Sequence, residues 1–189
     1  MTLSSQSNAA NVQAVETAKS LRKLYFTRAG FSVIWVILIA LFAKTSTTAA
    51  YVLLIIYPAW DVLCTLLDIR ANNNSSSKIP QYVNAAISTI TTIAVGLALQ
   101  KGVPEALIVF GIWAIGTGLI QLILGLRRRK SLGGQWPMII SGAQSMLGGT
   151  SFILLAYDPT KGITSLAGYA AFGAFYYLLA AFRLSKTAK

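Results

Sequence analysis

From Tyr51 to Arg70 the chain reads YVLLIIYPAWDVLCTLLDIR, and the reading of that stretch decides the fold. Between residues 51 and 67 the only charged side chain is Asp61. A run this long and this apolar exceeds an ordinary strand and matches the ~20 helical residues that cross a hydrocarbon core. Pro58 lies three residues before Asp61. In lipid such a proline is tolerated where neighbouring groups take the carbonyl it frees.

Working outward, five further runs have spanning length, so that the spans are expected at 24–43, 47–67, 82–99, 106–126, 138–157 and 163–182. The first contains Arg28, close enough to its end to snorkel to the headgroups, and reads as an anchor rather than a cleaved signal. Pro80, Pro104 and Pro137 fall at or just before the starts of the third, fourth and fifth spans, where a missing N–H does no harm. Among 189 residues, 55% are hydrophobic and 11% charged, well under the ~25% charged residues of soluble domains. Disordered, disulfide-scaffold and collagen-like classes are excluded. The expectation is an all-α membrane protein, a six-helix transmembrane bundle over residues 24–183. It is preceded by a cytoplasmic segment, 1–23, and followed by a cytoplasmic tail, 184–189.

Within that first segment, Val12, Val15, Leu21 and Tyr25 fall near one helical face, with Lys19, Arg22 and Lys23 elsewhere. The pattern suits either an interfacial helix on anionic lipid or a plain extension of the first span. Three Asn and three Ser between Ala71 and Ser77 mark a low-complexity loop expected to be mobile.

The charge excess of +11 reads as topology rather than nucleic-acid binding, because the basic residues sit in short clusters between apolar runs. With the N-terminus inside, thirteen Lys and Arg fall on the cytoplasmic side. Lys44, Lys101 and Lys161 make three outside. Both termini are therefore expected in the cytoplasm, across an even number of spans. Arg127, Arg128, Arg129 and Lys130 form the densest cluster, a topology determinant that also suits anionic lipid headgroups. Trp136, Tyr82, Tyr25 and Tyr157 stand where an aromatic belt belongs. No histidine is present and Cys64 is alone. Histidine triads, zincin motifs and intrachain disulfides are thereby excluded, and neither metal nor cofactor is expected.

The spans repeat. Ala59, Ala114 and Ala171 align at offsets of 55 and 57 residues, each two positions ahead of Asp61, Gly116 or Gly173. Ser32, Ser88 and Ser145 align at 56 and 57. Two ladders at one spacing predict three tandem helical hairpins in the same orientation, a quasi-threefold bundle of parallel repeats. The many glycines of spans four to six let helix backbones approach where no hydrophobic effect drives association.

This layout, the Gly-x-x-Ala-x-Gly pattern from Gly111 and Gly168, and the basic end of span four resemble the HdeD-like family of small bacterial inner-membrane proteins. The resemblance covers roughly residues 26–183. It implies a multi-pass protein of the bacterial inner membrane, non-enzymatic and associated with acid stress. It carries over no catalytic residues. Span two departs from the glycine pattern, with Asp61 at the repeat position.

Asp61 is the acid deepest in any span, and intramembrane charges are default functional candidates. Asp68 lies seven residues on, nearly on the same face, with Arg70 beside it. Three readings compete for Asp61: a structural ion pair, a proton or cation site, and a catalytic acid. An aspartyl dyad fails, because Asp61 and Asp68 stand ~10 Å apart along one helix. Antiparallel packing of the first two spans brings Ser32 to the depth of Asp61 and Arg28 within reach of Asp61 or Asp68. Asn84, Gln121 and Gln144 read as interhelical hydrogen-bonding groups. Two functions follow: a non-enzymatic membrane protein acting through its bundle or through partners, or a transporter or channel for a small solute or proton using Asp61. A protein partner or homo-oligomer is open.

Overall fold

The computed structural model describes residues 3–71, 78–130, 132 and 135–184. The low-complexity loop and the tail beyond Leu184 lie outside them. Six α-helices make up the fold: α1 (Leu3–Phe42), α2 (Thr47–Ala71), α3 (Ile79–Ala98), α4 (Val103–Arg128), α5 (Trp136–Leu154) and α6 (Ser165–Leu184). Prolines open α3, α4 and α5 within their first two residues. Four helices, α1, α2, α4 and α6, are long and apolar enough to cross a membrane. The other two are interrupted by Gln81, Asn84 and Ser88 in α3 and by Ser141, Gln144 and Ser145 in α5.

Each helix packs against its neighbours in sequence, and α6 closes back onto α1, giving a ring of six. Packing alternates around it. The interfaces α2–α3, α4–α5 and α6–α1 are extensive, whereas α1–α2, α3–α4 and α5–α6 are looser. That alternation has a period of two helices, with the looser interface inside each expected hairpin and the extensive one between hairpins. The tightest interface has an evident cause. Gly111, Gly118 and Gly125 recur every seven residues on α4 and face Gly149, Gly142 and Ile139 of α5. A Cβ at Gly142 would stand 2.6 Å from the Gly118 carbonyl oxygen and 2.7 Å from Leu122 N, so the two backbones touch.

Polarity is inverted relative to a soluble protein. Ile34, Ile93, Ile112, Leu147, Leu154 and Phe175 stand exposed on the outside, while Ser32, Thr65, Asp68, Gln81, Asn84 and Ser88 are buried. Two apolar layers close the interior. One is built around Trp35, Leu54, Phe110 and Trp113, the other around Leu21, Tyr25, Leu132 and Leu184.

The second layer includes part of the N-terminal segment, in the manner of a plain extension of the first span. Its residues continue α1 without a break, and Ala18 and Leu21 are fully buried against the end of α6. Val12 remains exposed. Tyr25 is likewise no belt residue: its side chain is 3% exposed, because helix α1 turns that face onto the ring rather than onto lipid.

Candidate functional site

Pro58 sits inside α2 and has no N–H to offer the preceding turn. In that turn the Leu53 carbonyl accepts a hydrogen bond from the Trp35 indole at 2.8 Å, tying α1 to α2. One rung further along, Arg28 of α1 reaches Asp61 of α2, with Nη1 2.7 Å from Oδ1. The other carboxylate oxygen accepts Asn84 Nδ2 at 2.7 Å and Ser88 Oγ at 2.8 Å, both from α3. All three partners donate, which is the complement an ionised carboxylate requires. Arg28 also donates to Tyr177 Oη of α6 at 3.0 Å. Tyr177 in turn donates to Gln121 Oε1 of α4 at 3.4 Å, and Gln121 Nε2 to the Met138 carbonyl of α5 at 3.3 Å. One hydrogen-bonded chain thus touches all six helices.

Asp68 does not join it. Its partner is Arg128 of α4, whose Nη2 stands 2.8 Å from Oδ1 and 2.7 Å from Oδ2. Arg128 also donates to Tyr25 Oη at 3.4 Å. The basic cluster expected on the cytoplasmic surface is therefore split. Arg127, Arg129 and Lys130 are exposed, while the Arg128 side chain is 13% exposed and turned inward. The cause is helical rotation: consecutive residues point ~100° apart, so four in a row cannot share a face. Ser32, expected beside Asp61, is buried; it is Ser88 that donates to the carboxylate.

The serine rung has its own logic. Ser88 accepts the Trp113 indole N–H at 2.9 Å. Ser145 and Tyr169 share a hydrogen bond of 2.7 Å. In the second and third hairpins a serine of the odd helix thus meets an aromatic side chain of the even helix, and Tyr57 of α2 completes a group of three. The three aromatics converge: the Tyr57 ring lies 5.9 Å from Trp113 and 6.5 Å from Tyr169, both edge to face.

Around these groups the ring encloses a cavity of about 620 Å³. Arg28, Ser32, Asp61 and Asp68 all line it, as does Arg128, and every helix contributes. Along the loosest interface the lining runs on through Gly148, Ser151 and Gly168 and includes Leu147 and Phe172. Those two side chains are 73% and 56% exposed on the outer surface, so the cavity opens sideways between α5 and α6. Where α2 carries Asp61, α6 carries Gly173; a Cβ there would find its nearest neighbour, Tyr57 Oη, 3.9 Å away. That rung supplies the open space.

The chain matches no family model, no curated protein and no solved structure. What the site does rests on its geometry. Among the described residues no three His, Cys, Asp or Glu side chains gather as metal ligands would.

Several lining residues escaped the sequence reading. Gln81 and Gln135 sit at helix starts beside prolines and look like interfacial caps. Tyr177 and Trp113 look like ordinary aromatics of apolar helices. A signal existed only for Ser88, through its place on the repeated rung. Asn84 and Gln121 do bond across helices, through side chains that also line the cavity.

Proposed function

We propose that this chain is a multi-pass protein of the bacterial inner membrane that holds a small polar solute in its central cavity and passes it across the bilayer. The observation that carries this reading is the cavity itself, lined by all six helices and reaching the buried Arg28–Asp61 pair. Sites of 300–1,000 Å³ with a few placed polar groups are the common form for small molecules.

All six helices cross in this reading. The shorter pair supports it: α3 and α5 expose Ile90, Ile93 and Leu97, and Ile140, Leu147 and Leu154, while their polar residues face inward. The thirteen-to-three distribution of Lys and Arg supports both termini inside. The layout and the small-residue pattern support a place among HdeD-like proteins, with a non-enzymatic role. Proton conduction through Asp61 is the weaker alternative, because the carboxylate is already enclosed by three donors.

The test is solute permeation in liposomes containing the purified chain, followed by stopped-flow light scattering with urea and glycerol. Gly173→Trp fills the open rung and is expected to abolish the protein-dependent component. Permeation equal to that of empty liposomes, or unchanged by Gly173→Trp, would overturn the reading.

A further inference from the structure

Four buried side-chain atoms lack a hydrogen-bond partner among the described residues: Trp60 Nε1, Gln81 Oε1, and both Nε2 and Oε1 of Gln135. All three residues line the cavity. Gln81 is 2% exposed and Gln135 1%. Folded proteins satisfy most buried polar atoms, and each exception calls for a reason. Here all of them belong to residues that line one cavity, two donors and two acceptors.

Charge narrows the matter. The cavity's four charged lining residues form two ion pairs, Arg28–Asp61 and Asp68–Arg128, each closed at 2.7 Å. The described lining carries no net charge. A ligand with a formal charge would lose its water there and meet no opposite charge left over.

We propose that the end of the cavity bounded by Gln81, Gln135 and the Asp68–Arg128 pair is a subsite for an uncharged group bearing both a hydrogen-bond donor and an acceptor, of which a primary carboxamide is the simplest. The inference rests on the reading of the cavity as a solute site and names the solute's chemistry. A carboxamide places its N–H against Gln135 Oε1 and its carbonyl against Gln135 Nε2, a reciprocal pair. Gln81 Oε1 accepts the second amide hydrogen. A carboxylate, which only accepts, sets lone pair against lone pair at both glutamine oxygens. An ammonium, which only donates, leaves Gln135 Nε2 without an acceptor. Exchanging the O and N of Gln135 changes nothing, since both atoms are free.

Benzamide, benzoate and benzylammonium share one ring and differ in the charge of its substituent. With the full chain in lipid nanodiscs, isothermal titration is expected to show benzamide binding at least tenfold more tightly than either charged analogue. Sites built to hydrogen-bond a group reject mismatched analogues by such factors or more. Gln135→Leu is expected to erase that preference while raising the thermal midpoint of the ligand-free protein, because it removes two unsatisfied buried atoms. Gln81→Leu is expected to weaken benzamide binding and gives a second variant should the first not fold. Equal binding of a charged analogue, no binding of benzamide, or a preference that survives Gln135→Leu would each overturn the proposal. The two readings fail separately. Benzamide discrimination without permeation sinks the transport reading alone. Permeation blocked by Gly173→Trp without benzamide discrimination sinks the subsite alone.

Discussion

Arg28 and Asp61, thirty-three residues apart, meet at 2.7 Å inside the ring, with side chains only 15% and 14% exposed. Removing either partner leaves the other buried and charged, a loss on the order of 3 kcal/mol or more. Arg28→Leu is therefore expected to destabilise strongly in denaturant titrations of the micelle-bound protein. Arg28→Leu combined with Asp61→Leu should recover much of that loss, since no lone charge remains. A double variant as unstable as the sum of its parts would show that the two groups are not coupled.

The contact of α4 with α5 predicts a contrast among glycines. At Gly142 a Cβ meets backbone at 2.6 and 2.7 Å, whereas at Gly30 nothing lies within 4 Å. Gly142→Ala should cost about 1–3 kcal/mol by forcing the helices apart. Gly30→Ala should be neutral or mildly stabilising, because alanine favours a helix. Parallel melting curves decide the matter; equal shifts would mean that the two helices have room to part.

Orientation is open to direct labelling. Cys64 is fully buried, and a Cys64→Ala background leaves no native thiol. In intact cells an impermeant maleimide should label Ser46→Cys and Lys161→Cys from outside. Arg129→Cys should be labelled only after the cells are opened. Labelling of Arg129→Cys in intact cells would invert the whole arrangement.

Asp158 lies in the connection between α5 and α6. Asp158 accepts the backbone N–H of Thr160 at 2.8 Å and its hydroxyl at 2.7 Å. These two donors, the hydroxyl first, hold the carboxyl below its ordinary value. The stabilisation is thus complete above the unfolded value of about 3.9 and is lost as pH falls through the folded one. Thr160→Val removes the hydroxyl donor and should move the Asp158 titration, followed by carbon-detected NMR, back toward the ordinary range. An unmoved titration would leave the hydroxyl without a part in it.

Helix positions were legible because lipid imposes a simple rule. A backbone that crosses hydrocarbon must satisfy itself, so length and apolarity mark α1, α2, α4 and α6. Proline placement marked three helix starts for the same local reason. The serine rung was legible too, as an arithmetic repeat at 56 and 57 residues. Its chemical meaning was not, since the aromatic partners of Ser88 and Ser145 lie on the facing helices.

The sequence by itself determined the all-helical character and, beyond the first helix, the helix positions, both properties of a segment and its solvent. Only the tertiary structure decided that α6 closes on α1, that Arg128 leaves its basic neighbours for Asp68, that Ser88 rather than Ser32 holds Asp61, and that Gln81 Oε1 and both polar side-chain atoms of Gln135 stay unsatisfied on residues lining the cavity. Those outcomes depend on how far each helix is rotated about its axis, and rotation is set by close packing between residues such as Gly118 and Gly142 on different helices. A rotation of one residue, ~100°, would send a different side chain inward.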